Sequence, residues 1–163
     1  MMIRDLVGLV RASLFGAAVV AAVVAMTASV AEADVRDEML AVYTKFAAAQ
    51  NTRNLENLRP FFLDSPQFLW VSDGMSIWGP EATLERMSLF QQAEVWHVDP
   101  DLANAMPVQI GPDVGYLHLP LTLTLGRAAA PETFRFLVSV LFTRTPAGWR
   151  IAALLTTTEK RSP

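Results

Sequence analysis

Alternation of apolar and polar residues dominates the last third of the chain and predicts three long strands, because side chains of a strand point alternately to its two faces. Over residues 116–125 one face holds only leucines, namely Leu117, Leu119, Leu121, Leu123 and Leu125. The runs 133–143 and 149–158 also alternate but are apolar on both faces, with Leu155 predicted to share a face with Trp149. The second face of this sheet is therefore expected to meet another subunit.

The N-terminal part of the domain, from Asp34 onward, instead has apolar residues at the helical spacing of three and four. The apolar positions with that spacing are Val35, Met39, Val42, Phe46 and Ala49. They predict a first helix capped by Asp34 and ending where residues 50–54 break the period. A second, short helix follows Asn54, and Pro60 inside it predicts a kink or a split near Arg59 because proline lacks an N–H.

A hairpin is predicted between the second and third helices. Two short apolar runs flank Asp73-Gly74, a dipeptide that readily adopts the positive φ angles of a tight turn. The third helix is predicted over 80–91, since proline is favoured at the first helical position. Two shorter strands are predicted over 94–98 and 105–110, which places most of the sheet after the helices.

The chain is 52% hydrophobic, and much of that excess lies in residues 1–33. This segment has Arg4 and Arg11, then an apolar run, then the small-x-small site at 31–33. The pattern predicts a cleaved signal peptide and a periplasmic or secreted protein. The alternative is an uncleaved membrane anchor, since residues 12–31 are nearly long enough for a bilayer core of about 30 Å. A carbonate wash separates the two, because an anchored form stays with the membranes.

The remainder predicts one domain over 34–159 and a short tail over 160–163. The net charge is −3 and there is no basic cluster, which argues against binding to nucleic acid or to an anionic membrane surface. The chain has no cysteine, so disulfides and thiolate zinc sites are excluded. Two histidines on different predicted strands, without ligand-spaced partners, predict no metal site, and no motif predicts a cofactor.

Several short segments together resemble the nuclear transport factor 2-like superfamily, in its SnoaL-like and ketosteroid-isomerase-like branch. These segments are Lys45-Phe46-Ala47-Ala48-Ala49, Asn54-Leu55-Glu56, Phe61-Phe62-Leu63-Asp64-Ser65-Pro66, Trp78-Gly79-Pro80-Glu81-Ala82 and Gly148-Trp149-Arg150-Ile151. The resemblance covers 34–159 and implies an α+β fold in which three N-terminal helices pack on a curved, mostly antiparallel sheet. It also implies a pocket between the two layers, but the scaffold hosts both enzymes and binding modules.

The same resemblance implies that the isomerase catalytic set is missing. In ketosteroid isomerases a tyrosine and a protonated acid form the oxyanion hole, and an aspartate moves the proton. In a gapless comparison, Phe46 and Trp70 stand where that tyrosine and that aspartate would be, and Ser139 falls near the late acid. A phenyl ring cannot donate a hydrogen bond, and an indole cannot abstract a proton from carbon.

The candidate ligand-binding residues are Tyr43, Phe46, Trp70, Trp96 and Ser139, while Trp78 and Trp149 are expected to line or underpin the same pocket. For Phe46 and Trp149, plain packing in the core is the favoured interpretation. Asp73 and His97 are the candidates for acid–base chemistry. The simpler interpretation of Asp73 is a residue chosen for the hairpin turn, and that of His97 is a histidine at the end of a strand, with no catalytic role for either. His118, on the face opposite the leucines, is expected at the subunit contact.

These patterns predict an exported, homodimeric domain whose apolar pocket binds a small molecule, or which serves as an interaction module, and they favour a protein without enzymatic activity. The alternative is an acid–base enzyme of the cyclase, dehydratase or hydrolase type that uses His97 or Asp73 on a small apolar substrate. A third possibility is an accessory domain for a protein partner. The sequence does not identify the ligand.

Overall fold

The computed structural model describes residues 35–160, and those from Arg36 onward belong to one compact unit. The predicted leader, residues 1–33, lies outside the described residues, so the signal peptide stays a prediction. Within 35–160 no helix is both long enough and apolar enough to cross a bilayer.

The helical layer contains the three predicted segments, but the middle one differs from a regular helix. Helix α1 covers residues 35–51, and helix α2 is Pro80–Phe90. Between them lie two 3-10 turns, Leu55–Asn57 and Arg59–Phe61. The break falls where Pro60 predicted it, because a proline N cannot donate the backbone bond that would join the two turns.

The seven strands form one sheet, and their bounds are β1 Leu69–Ser72, β2 Met75–Trp78, β3 Val95–Pro100, β4 Met106–Gly111, β5 Val114–Arg127, β6 Ala130–Thr145 and β7 Gly148–Thr158. Their order is β2-β1-β7-β6-β5-β3, and β4 pairs with the same edge of β5 as β3. All pairings are antiparallel except that of β1 with β7. The predicted α+β fold, helices on a curved and mostly antiparallel sheet, is confirmed.

The hairpin of β1 and β2 has the predicted turn. Asp73 and Gly74 adopt φ angles of 52° and 70°, and the flanking Ser72 and Met75 pair across the turn. Positive φ at both central positions gives the backbone twist that a two-residue hairpin requires. This turn brings Asp73 to the rim of the sheet.

A group of phenylalanine rings joins the helical layer to the sheet. The Phe62 ring centroid lies 5.6 Å from that of Phe46 and 4.6 Å from that of Phe68. We call these three residues the phenylalanine cluster. The next residue, Leu63, donates its backbone N–H to the carbonyl oxygen of Ile151 in β7, at 2.8 Å. The 3-10 turns are thereby attached to the middle of the sheet.

The end of α1 is fixed to strand β3 by two hydrogen bonds from one side chain. Asn51 donates its Nδ2–H to the carbonyl oxygen of Val98 and accepts from the Val98 N–H, both at 2.8 Å. We call this pair of bonds the Asn51 clamp. Nearby, Arg53 donates to the carbonyl oxygens of Ala93 and Glu94 at 2.8 and 2.9 Å. The entry into β3 is thus held by the C-terminal end of α1.

Strand β7 departs from the predicted alternation at its centre. Trp149 and Ile151 are buried as predicted, but Leu154 is buried while Leu155 is 41% exposed, so the prediction for Leu155 is wrong. The reason is a bulge opposite Leu141, where the β6–β7 register shifts. An extra residue in one strand moves every later side chain to the other face.

The outer face of the sheet carries exposed apolar side chains where three strands meet. Tyr116, Leu141 and Leu155 are 38%, 39% and 41% exposed, and Tyr116 pairs directly with Leu141. Apolar groups of this kind on one sheet face are common at interaction surfaces.

We expect a second copy of this chain to cover this patch. Sedimentation of residues 34–163 at micromolar concentration should give a dimer, and Leu141→Glu should give a monomer because a carboxylate would be buried unpaired in the contact. Leu89→Glu is the control, since Leu89 is 61% exposed on α2, away from the sheet. A monomeric wild-type chain would contradict the expectation.

Candidate functional site

A cavity of about 790 Å³ lies between the helices and the inner face of the sheet. Its sheet side is formed by inward side chains of β5 and β6, including Leu121, Leu123, Phe134 and Phe136. The predicted alternation places these side chains on the face of the sheet that meets the helices. The volume lies within the range that is common for small-molecule pockets, and the wall is mostly apolar.

Helix α1 contributes one stripe of side chains to the cavity. Tyr43, Phe46 and Gln50, at spacings of three and four residues, line it and are 1%, 2% and 8% exposed. Such a spacing places all three on one helix face. Met87 and Phe90 of α2 complete the helical wall.

Two tryptophans approach the cavity from opposite edges of the sheet. Trp70 is on β1 with its ring centroid 6.4 Å from that of Phe90, and Trp96 is on β3. Four of the five predicted ligand-binding residues, Tyr43, Phe46, Trp70 and Trp96, therefore lie around one cavity. That they bind a ligand stays a prediction.

The fifth predicted residue, Ser139, lies on the other face of the sheet. Its Oγ is 3.0 Å from Nδ1 of His118, beside Leu155 across the β6–β7 pairing. The pleat explains this position, because Ser139 stands between Val138 and Val140, which point inward and are buried. Ser139 therefore does not line the cavity, and His118 occupies the outer face as expected.

The two acid–base candidates are not brought together. Asp73 borders the cavity at the hairpin turn, whereas His97 on β3 is exposed and points away from the side that Trp96 and Val98 share. The hairpin and β3 are at opposite edges of the sheet order. The structure thus offers Asp73 alone, of this pair, to a molecule in the cavity.

The expectation for Trp78 differs from the structure, whereas Trp149 packs in the core, which was its favoured interpretation. Trp78 is 57% exposed on the edge strand β2 and does not line the cavity. Trp149 is buried and donates its Nε1–H to Glu38 at 2.7 Å, so it supports the base of α1 and does not reach the cavity wall.

The charge of the cavity is low. Among the described residues that line it, Asp73 is the one side chain with a formal charge at neutral pH. Burial raises the pKa of the Tyr43 hydroxyl, so this group stays neutral over the whole physiological range. Within 35–160 no three potential ligands cluster to hold a metal ion. The wall suits a neutral, mostly apolar molecule.

Several polar side chains of the cavity wall make no hydrogen bond within the described part of the chain. Among them are the Tyr43 hydroxyl, the side-chain amide of Gln50, and Nε1–H of Trp96, which is fully buried. Sequence reasoning missed Gln50 because it placed the end of α1 there. The signal was available, since Gln50 is seven residues from Tyr43 on the same helical face.

Comparison with known proteins gives one family match and many structural likenesses. The model of the SnoaL-like domain family matches residues 39–154, which is most of the chain. No curated protein sequence matches significantly.

Three solved structures illustrate the structural likeness. A nuclear transport factor 2-like superfamily protein from Salmonella enterica serovar Typhimurium has a TM-score of 0.72 at 12% identity, over 80% of this chain and 95% of that one. A candidate dehydratase from Streptomyces avermitilis gives 0.66 at 15%, over 77% and 97%. A candidate aromatic ring hydroxylase from Novosphingobium aromaticivorans gives 0.68 at 11%, over 77% and 90%. At these identities the likeness shows a shared fold and carries no activity across.

Proposed function

We propose that this chain, which belongs to the SnoaL-like domain family, binds a small, largely apolar molecule in the cavity between its helices and its sheet. The observation that carries the proposal is the cavity of about 790 Å³, with aromatic and leucine walls and few polar groups. Burial of an apolar ligand against such walls contributes about 25 cal/mol for each Å² removed from water. The site is thus built to bind by exclusion of water.

The proposal also covers the cellular location of the protein and its oligomeric state. The leader-like segment 1–33 supports export to the periplasm or beyond the cell. The apolar outer face supports a homodimer, which leaves the cavity on the opposite face of each sheet free for its ligand.

We expect the chain, as residues 34–163, to bind the neutral dye N-phenyl-1-naphthylamine with a rise in dye fluorescence. Leu123→Trp should weaken binding at least about tenfold, or ~1.4 kcal/mol, because the indole fills space on the cavity wall. Leu155→Trp is the matched control, since Leu155 is 41% exposed on the outer face, and it should bind as the wild type does.

The proposed binding function would be contradicted if both of the following results were obtained. One is a wild-type chain that leaves the dye fluorescence unchanged. The other is a native mass spectrum of the protein, purified from its own host, that shows no bound small molecule. A co-purifying mass would instead identify the ligand class.

The alternative function is an acid–base enzyme that uses Asp73. The observation in its favour is the position of this carboxylate, which borders the cavity beside Ser72. Two structures of similar fold carry the names of a candidate dehydratase and a candidate hydroxylase. Asp73→Asn separates the functions, since a variant that still binds the co-purified molecule but no longer converts it would favour the enzyme.

A further inference from the structure

We propose that the ligand carries a neutral carbonyl group, as in a ketone or an aldehyde, which accepts a hydrogen bond from the side-chain amide of Gln50. The inference rests on the ligand binding proposed above and assigns its polar recognition to one residue. It also defines the ligand class as an apolar molecule with one oxygen acceptor, held with that oxygen towards the end of α1.

Gln50 presents an amide without a protein partner to the cavity. The side chain is 8% exposed, lines the cavity and makes no hydrogen bond among the described residues, and its amide atoms are not among the fully buried ones. An apolar ligand would cover this amide, which costs free energy unless the ligand also supplies a hydrogen-bond partner. A carbonyl oxygen in the cavity would satisfy the amide N–H of Gln50.

The Asn51 clamp holds the neighbouring Gln50 close to strand β3. Asn51 binds Val98 through two hydrogen bonds of 2.8 Å, and Val98 and Trp96 point to the same side of β3. The Nε1–H of Trp96 is fully buried in the described structure, so it cannot reach a ligand oxygen in the cavity. The Gln50 amide can donate through its Nε2–H groups, and a carbonyl oxygen on the ligand accepts from them.

The charge of the wall excludes an anionic acceptor. The described residues that line the cavity include no lysine, arginine or histidine, and their one carboxylate is Asp73 at the mouth. A buried ligand carboxylate would therefore lack a cation and would be repelled at the entrance. A neutral carbonyl accepts from Gln50 without this penalty.

Three naphthalenes of similar size test the inference. We expect the wild-type chain to bind 2-acetylnaphthalene about tenfold more tightly than 2-ethylnaphthalene, as one hydrogen bond to a buried donor would give, and to bind 2-naphthoate more weakly than either. Titration calorimetry measures all three. Gln50→Met keeps the volume of the side chain but removes the amide, so the two neutral compounds should then bind equally.

Gln91→Met is the matched control. Gln91 is also buried, at 9% exposure, and its Nε2 is also unpartnered in the described structure, but it does not line the cavity. This variant should keep the tenfold preference. Gln50→Met should melt at the wild-type temperature or above it, because no internal hydrogen bond is lost, whereas a structural role for Gln50 would lower the melting temperature.

The outcomes separate this inference from the function on which it rests. Equal binding of the two neutral compounds by the wild type, or a preference that survives in Gln50→Met, would overturn the carbonyl assignment and leave the apolar site intact. Tight binding of 2-naphthoate would also overturn it. Failure of both neutral compounds to bind would overturn the proposed function and this inference together.

Discussion

Replacement of Phe62 by alanine is expected to lower the free energy of unfolding by about 3–5 kcal/mol, the usual cost of a large aromatic deletion in a core. Phe62 is 3% exposed and lies between Phe46 and Phe68 in the phenylalanine cluster. Its removal leaves a void in contact with both rings, and the hydrogen bond from Leu63 to Ile151 prevents the local backbone from closing that void. Urea denaturation followed by circular dichroism measures the change.

Phe134→Ala is the control for this prediction. Phe134 is 39% exposed at the cavity wall, so its deletion removes less buried surface and should cost less than about 1.5 kcal/mol. Equal losses in the two variants would contradict the larger contribution to stability that is expected of the phenylalanine cluster.

Asn51→Ala is expected to lower the free energy of unfolding by about 2–4 kcal/mol. The change removes both bonds of the Asn51 clamp and leaves the N–H and the carbonyl of Val98, which is 4% exposed, without partners. Each buried backbone group left unpaired costs about 1–3 kcal/mol. Denaturation gives the total, and faster hydrogen exchange at the Val98 amide would locate the effect in β3.

Asn57→Ala serves as the control here. The Asn57 side chain makes one long hydrogen bond of 3.4 Å, to Oγ1 of Thr52, in an exposed position. Its loss should change the free energy of unfolding by less than about 0.5 kcal/mol. If Asn51→Ala behaves in the same way, the Asn51 clamp contributes little to stability.

The architecture was predictable because its signals are local. Asp73-Gly74 specifies a hairpin turn by its φ preferences, Pro60 splits a helix by its missing N–H, and the alternating leucines of β5 assign the inner face. The bulge in β7 was not predictable, since a register shift depends on the partner strand. A face assignment made from one strand alone therefore failed for Leu155.

The site was predictable only in its apolar part. Tyr43, Phe46, Trp70 and Trp96 lie around the cavity as large aromatic side chains on inward positions. Ser139 was assigned through a comparison with isomerases, and the pleat of β6 places it on the outer face. Gln50 was overlooked because a polar residue at a helix end is normally exposed, and its burial depends on the contact between α1 and β3, which are distant in sequence.

The parallel pairing of β1 with β7 has a consequence for biosynthesis. Leu69 pairs with Ala153, a separation of 153 − 69 = 84 residues, so one edge of the sheet can form only after the ribosome has made nearly the whole domain. Contacts so distant in sequence slow folding, because a long loop must close before any of them forms. The complete sheet therefore cannot form until synthesis of the domain is nearly finished.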